Sequence, residues 1–423
     1  MKVLALNTFD ADGGAARAAV RLSQSLRDVG TDIRLRVLRK TTDLPWAESE
    51  AGTLGKLQGL ARPLLDTLPL RRYRQRSSQA WSVNWLPYPA VDRAVAEVDL
   101  VHLHWLGFGY VSPRQLLRWH KPVVWTLHDM WPVTGGCHYA AGCEGFHHGC
   151  GSCPQLGSIQ ARDISARQFE LKAEVMREAD VSFVSPSHWM ADEARASGLI
   201  GDCPVHVIAN GLDIDRFQPL DRVMARQAFN LPPERPVILF GALNALGDER
   251  KGSHLLLAAI RQLEAEGWPA GQEPAYVVFG ASAPANAELA ALPIRYVGRL
   301  HDDVALALLY SAADVMVVPS LQETFGQTAS EAMACGTPVV AFAATGLLDV
   351  VAHGETGYLA RPYESSDLAA GIRWVLADDE RHQALSGQAR RRCLQHFDQR
   401  LTARAHQSLY QELVAAHKTR TTT

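Results

Sequence analysis

The sequence predicts an α/β protein made of two domains, each with a parallel sheet. Three observations carry that class. Short apolar runs that read as buried strands alternate with segments whose apolar residues recur at helical spacing, and no fixed-period repeat runs through them. With 423 residues, of which 47% are hydrophobic, the chain is long enough for two cores. After Asn210-Gly211-Leu212-Asp213 the pattern pauses, and Pro232-Pro233-Glu234 restarts it.

Composition narrows the function classes. A formal charge of −3 with no long basic block gives no electrostatic case for nucleic acid. No span approaches the length of a membrane helix, and the first apolar run stops at Leu6, too short for a secretory signal, so a cytoplasmic location is expected. The seven cysteines are an odd number, which suits free thiols or a metal site better than a secreted disulfide framework.

In chain order, Lys2 to Asn7 reads as the first strand, and Asp10-Ala11-Asp12-Gly13-Gly14 as a loop into a helix from Ala15 to Val29. Gly13 and Gly14 let the backbone pass close to a bound group at the helix start, although such pairs are often only turns. Residues 41–90 show little pattern: Arg62, Arg71, Arg72, Arg74 and Arg76 sit among leucines, and Pro63 and Pro69 are expected to break any long helix. This segment is either an insertion with a solvated basic face or a contact with an anionic membrane surface. Strands from Asp99 to Leu103 and from Val123 to Leu127 each end in histidine, His104 and His128, at the strand ends where parallel sheets bind ligands.

A Cys-rich loop at 135–155 follows, with Cys137-x5-Cys143-x6-Cys150-x2-Cys153 and interleaved histidines. Four thiolates can close a tetrahedral shell around a structural zinc, leaving no open position for catalysis; reduced thiols in a Gly-rich loop are the alternative. A helix from Ser165 to Ala179, a strand from Val181 to Val184, a helix capped at Ser187 and a strand from Pro204 to Ile208 complete the first half. Asp10-Ala11-Asp12 and Asp213-Ile214-Asp215 fit a D-x-D pattern but fall in the glycine loop and the linker, so neither is read as a metal site.

In the second half, Pro236 to Gly241 is a strand and Leu255 to Leu263 a helical face, with Arg250-Lys251-Gly252 at its start. Lys251 is placed to neutralise a departing diphosphate, or else is solvated. Further strands run from Ala275 to Gly280 and from Ile294 to Leu300. Val315-Met316-Val317-Val318 then reads as a buried strand closed by Pro319-Ser320, and Glu323-Thr324-Phe325-Gly326-Gln327-Thr328-Ala329-Ser330-Glu331 leads into a short helix ended by Gly336 and Pro338. Backbone N–H groups of Phe325, Gly326, Gln327 and Thr328 at that helix start suit a diphosphate. Glu331, one turn in, suits a ribose diol, and Glu323 the hydroxyls beyond the phosphates. The pattern continues with a strand from Pro338 to Phe342 and a Gly354-Glu355-Thr356-Gly357 turn.

Strand, Pro-Ser, Glu-Thr-Phe-Gly and Glu-Ala-Met-Ala-Cys-Gly-Thr-Pro together resemble the donor-site signature of retaining glycosyltransferases of family 4. The resemblance covers nearly the whole chain apart from residues 41–90 and the cysteine loop. It implies the GT-B architecture, two facing Rossmann-like domains with a central cleft: an acceptor domain at 1–215, a nucleotide-sugar domain at 216–395, and a helix at 396–423 that crosses back and frays after His417. It further implies that His128 touches the transferred sugar, Lys251 binds phosphate, Gly298, Arg299 and Leu300 meet the base, and Gly13-Gly14 faces the donor phosphates. Gly354 to Gly357 resembles a hairpin of the family. The cysteine loop resembles one in members that build colanic-acid-type and other exopolysaccharides.

The implied reaction moves a sugar from a nucleoside diphosphate sugar to a lipid-linked or oligosaccharide acceptor with retention, without a catalytic metal, in the cytoplasm or at the inner face of the membrane. One departure stands out. Many relatives carry arginine directly after the glycine ending the first strand of the second domain; here Ala242 follows Gly241, and either Arg250 or the amino-terminal domain is the candidate source of that charge. The competing readings are a nucleotide-sugar epimerase on the same architecture and a degenerate transferase serving as an assembly scaffold.

Overall fold

The computed structural model describes residues 1–241, 247–282 and 293–422. Ala242, where the family's arginine is missing, lies outside them. The chain divides into two compact units, Met1–Gly211 with Arg400–Thr423, and Leu212–Gln399.

The first unit holds a seven-stranded parallel sheet in the order β3-β2-β1-β4-β5-β6-β7: β1 (Lys2–Phe9), β2 (Asp32–Arg39), β3 (Ala47–Glu48), β4 (Leu100–Leu103), β5 (Val123–Thr126), β6 (Val181–Ser185) and β7 (Val205–Val207). Its central strands β4 and β5 are buried at every position, mostly by apolar residues, because helices cover both faces. Successive residues of β1 serve opposite cores: Leu4 and Leu6 pack with Val101, Trp125 and Phe183, while Val3 and Ala5 pack with Val124 and Val184. The second of these cores is completed from the end of the chain. Ala403, Leu409 and Tyr410 of the helix Gln399–Thr422 belong to it, so the last helix is part of the first unit's fold.

The second unit repeats the plan with six parallel strands in the order β10-β9-β8-β11-β12-β13: β8 (Val237–Gly241), β9 (Ala275–Phe279), β10 (Ile294–Gly298), β11 (Val315–Val318), β12 (Val339–Phe342) and β13 (Gly357–Ala360). Ile238, Phe240, Val315 and Val317 meet Leu256, Ala259, Ile260 and Leu263 of the helix Ser253–Glu266, and Leu368, Ala369 and Ile372 of the helix Ser365–Leu376.

Four local expectations need correction. Pro63 does not prevent a helix: Gly52–Asp66 is helical with Pro63 in its final turn, where it forgoes only the one bond an N–H there would make to the carbonyl four residues back. Arg62 is not part of a solvated basic face; it is buried, donating to the carbonyls of Gly109, Pro87 and Leu86. The segment at Gly354 is no hairpin, since β13 runs parallel to β12 after a turn closed by Thr356 N–H on Ala352 O. Nor does the tail fray after His417. It stays helical, with His417 and Arg420 both on the Asp180 carboxylate, at 2.9 and 2.5 Å.

Candidate active site

In both sheets the unit's first strand is flanked by its second and its fourth, so the crossovers leave it in opposite directions and a crevice opens at the carboxyl ends of those strands. In the second unit this switch point lies between β8 and β11, which pair directly. Lys251 follows β8, and Glu323 follows β11.

The two loops are held together by backbone. Leu321 N–H donates to Arg250 O at 2.8 Å, and the Arg250 guanidinium donates to Gln322 O at 3.1 Å and to Asp248 Oδ2 at 2.7 Å. Gly252 makes the approach feasible. It sits at φ +68°, and a Cβ there would stand 1.8 Å from the Pro319 carbonyl oxygen. Arg250, the candidate for the missing phosphate arginine, is thus engaged as a brace between loops.

On this scaffold Lys251 Nζ donates to Glu323 Oε1 at 2.5 Å, and Ser320 Oγ donates to the same oxygen at 2.9 Å. Glu323 N–H donates to Thr345 Oγ1 at 3.0 Å, and its carbonyl accepts from Gly346 N–H at 2.9 Å. Burial pushes the Glu323 carboxyl up, but the charges of Lys251 and Arg250 and the bonds from Lys251 and Ser320 outweigh it and hold the group below the usual glutamate value. It is therefore an ionised acceptor at neutral pH.

Gly326 caps the helix Gln327–Ala334 in a left-handed conformation, φ +100°, with Leu347 close to where a Cβ would project. The first turn, with Gln327 and Thr328, opens just beyond Glu323. Phe325 does not face a ligand with its ring, which is buried edge-on against Phe397 at 5.3 Å between centroids; only its backbone remains a candidate. Glu331 is buried one turn in, and its Oε2 accepts from Tyr310 OH at 2.9 Å. Gly298 ends β10 at φ +76° and accepts from Gly280 N–H; Arg299 and Leu300 follow it at the sheet's edge. Ser320, Thr345 and Tyr310 were not singled out by sequence. Ser320 stands in the quoted Pro-Ser pair, Thr345 lies shortly after the strand Pro338 to Phe342, and Tyr310 carries no local signal.

In the first unit the switch point lies between β1 and β4. Gly13, at φ +92°, precedes the helix Gly14–Asp28 after β1, with open space where its Cβ would be. Asp10 is a loop anchor: its carboxylate accepts the N–H and hydroxyl groups of Thr41 and Thr42 at 2.6 to 3.0 Å. Asp213 likewise accepts Asp215 and Arg216 N–H groups within its own turn.

His104 and His128, after β4 and β5, meet through Nδ1···Nε2 at 3.0 Å. Among the described residues, His104 Nε2 is buried with no hydrogen-bond partner. A buried N–H without an acceptor is rarer than a bare lone pair, which favours the tautomer in which His104 Nδ1–H donates to His128 Nε2. Burial pushes His128 down to about 4 against the pull of Asp129, so the imidazole is neutral at pH 7. Asp129, in turn, accepts from Trp105 Nε1 and bonds His138 Nδ1, both at 2.5 Å, and from Trp131 N–H at 2.9 Å.

The four loop cysteines line one cavity together with Trp81, Phe146 and Ser165, and all are free thiols. Among the described residues, no three His, Cys, Asp or Glu side chains stand in a metal-holding arrangement. Burial pushes the Cys137 and Cys150 thiols up to about 12 and about 11, and the sulfurs of Cys150 and Cys143 accept separate N–H groups, from Gly135 and Gly145. The four sulfurs share a cavity but do not close a metal-holding cluster among the described residues, where all four are free thiols.

Two Rossmann-like units with these strand orders define the GT-B class of glycosyltransferase folds. Solved structures match across nearly the whole chain: sucrose-phosphate synthase from Thermosynechococcus elongatus has a TM-score of 0.70 at 24% identity, covering 98% of this chain and 100% of that one. Anabaena HepE in complex with UDP-glucose has 0.68 at 19% identity, covering 98% and 100%. A model of Glycosyltransferase Family 4 matches residues 12–216, and one of Glycosyl transferases group 1 matches residues 222–392.

Among sequence relatives, a D-inositol 3-phosphate glycosyltransferase from Streptomyces avermitilis is 30% identical, with 96% of this chain and 85% of that protein covered. Another from Geodermatophilus obscurus is 34% identical over 69% of this chain, which spans 62% of the relative's length. The chain belongs to glycosyltransferase family 4. These relatives are named for D-inositol 3-phosphate, so they do not carry the expected closeness to colanic-acid-type enzymes.

Proposed function

We propose that this chain transfers a sugar, with retention at the anomeric carbon, from a nucleoside diphosphate sugar to a hydroxyl of a lipid-linked or oligosaccharide acceptor of the exopolysaccharide type. The observation that carries the reading is the Lys251–Glu323 pair at the switch point of the second unit, beside the Gly326-capped helix start. A cation, a helix N-terminus and an ionised carboxylate are the complement of a diphosphate followed by a polyhydroxy group.

In this reading the arriving diphosphate takes Lys251 from Glu323, and the freed carboxylate accepts hydroxyls of the sugar. N–H groups at Phe325, Gly326, Gln327 and Thr328 hold the phosphates, and Glu331, oriented by Tyr310, takes the ribose. Gly298 to Leu300 meet the base. From the first unit the reading enlists Gly13-Gly14 and a neutral His128. As the leaving diphosphate gains charge, Lys251 and the helix end stabilise it, and no protein nucleophile is assigned.

Anabaena HepE was solved with UDP-glucose, which makes UDP sugars the first donors to try. The names of the relatives favour a second acceptor, D-inositol 3-phosphate. The test is product analysis by mass spectrometry and NMR with UDP, GDP and ADP sugars against both acceptor types. A glycosylated product with the donor's anomeric configuration supports the reading; inversion overturns retention. Conversion of the donor with no acceptor present points to an epimerase, and no binding of any nucleoside diphosphate to a scaffold.

A further inference from the structure

The helix Gly52–Asp66 is amphipathic in the wrong sense for a globular surface. Toward the protein it turns Gly55, Gly59, Arg62 and Asp66, all buried. Gly55 and Gly59 pack so closely that a Cβ would stand 2.1 Å from Glu50 O and 3.1 Å from Arg39 Cγ. Arg62 spends its donors on three carbonyls, and Asp66 accepts the N–H groups of Val83 and Asn84. The outward face carries Leu57, Leu60 and Leu64, 62%, 60% and 69% exposed, continued by Leu68 and Trp85. Three leucines at i, i+3 and i+7, each mostly in water, form an apolar stripe that the fold itself leaves uncovered.

The charges beside the stripe say what covers it. Between residues 51 and 85 the only acidic side chain is Asp66, which is buried, whereas Lys56, Arg71, Arg72, Arg74 and Arg76 are all exposed. A segment that carries five exposed cations and no exposed anion along with an apolar stripe complements an anionic lipid surface, with leucines entering the acyl boundary and arginines at the headgroups. A second copy docking on the same stripe would set like charges against each other. We propose that the helix Gly52–Asp66 and the arginines after it seat this chain on an anionic bilayer, with Leu57, Leu60 and Leu64 as the inserted residues. The inference stands apart from the transfer reaction.

The test is co-sedimentation of the full chain with vesicles of phosphatidylglycerol and phosphatidylcholine in equal parts, and with phosphatidylcholine alone. Binding is expected on the anionic vesicles, weakening with salt. Leu57→Gln/Leu60→Gln/Leu64→Gln should lower partitioning by about tenfold or more, and Arg71→Gln/Arg72→Gln/Arg74→Gln/Arg76→Gln by on the order of a hundredfold. Both sets alter exposed side chains, so thermal melts should match wild type. Wild type left in the supernatant, or variants that bind equally, overturns the proposal. So does a concentration-dependent dimer in sedimentation velocity that the leucine variant abolishes, which would make the stripe an interface between copies.

Discussion

At the scale of single residues, the pair at the second unit's switch point is where chemistry and stability meet. Lys251→Ala and Glu323→Ala are each expected to lower turnover by about a hundredfold or more, the usual cost of losing one charged contact to a transition state. Each also leaves a half-buried partner charge uncompensated, at a cost of about 1–3 kcal/mol. Circular dichroism should stay native in both variants; turnover like wild type in either would remove that residue from the mechanism. Gly252→Ala tests the scaffold beneath them. A Cβ 1.8 Å from Pro319 O, at a positive φ, must push the Lys251 loop away from the end of β11. A drop in stability of about 1–3 kcal/mol with weakened donor binding is expected by calorimetry, and a neutral outcome would show that the loop contact is dispensable.

The two glutamates and the lysine were legible in sequence because each sits in a local pattern of strand end, glycine and helix start. Tyr310 was not, because it reaches Glu331 from a separate helix and nothing near it in sequence marks the contact. Arg62 misled for a related reason. An arginine among leucines reads as solvated until the three carbonyls that enclose it are in view.

Among the elements, the last helix, Gln399–Thr422, makes the sharpest prediction. It lays His406 and Tyr410 against His102 of β4: Tyr410 OH bonds His102 Nδ1 at 2.6 Å, His102 Nε2 bonds Thr126 Oγ1 at 2.7 Å, and the His102 and His406 rings stack at 5.6 Å. His104, His128 and the Asp129 carboxylate, itself bonded to His138, are further titratable groups of this layer. Burial holds His102 and His104 well below the ordinary histidine value, and His128 and His406 at about 4. Because the folded values lie under the unfolded one of about 6.5, the unfolded chain binds more protons between them. Stability is thus full above about pH 6.5 and is lost as pH falls through about 4.

Calorimetric melting temperatures across that window should fall steeply, and His406→Leu should flatten the slope by removing one buried titrating group. An unchanged slope would mean that His406 does not titrate on unfolding. The helix's return to the first unit is an expectation the family resemblance supplied. Its role in completing the core was not visible, since Ala403, Leu409 and Tyr410 find their partners nearly a whole chain length away. The helix Gly52–Asp66 was missed outright because its apolar stripe faces outward and its buried face is glycine and charge.

For the molecule as a whole, the alternating pattern made the α/β class legible, and the donor signature made the family legible. Domain limits were less so. The sequence reading placed the first boundary at 215 and the return at 396, whereas the units divide after Gly211 and before Arg400. Leu212 pairs with Phe397 and Gln399 by backbone hydrogen bonds, so the linker and the start of the return form one tie that only folding reveals.

The central claim is that a nucleoside diphosphate sugar binds at Lys251 and the Gly326 helix start. Thermal denaturation of wild type and Lys251→Ala with UDP, GDP and ADP sugars tests it most directly. Ligand at about a hundred times its Kd adds about 2.7 kcal/mol to the folded state, so at least one of the donors should raise the wild-type melting temperature, and the variant should lose most of that rise. No rise with any donor, or an equal rise in Lys251→Ala, would contradict the account.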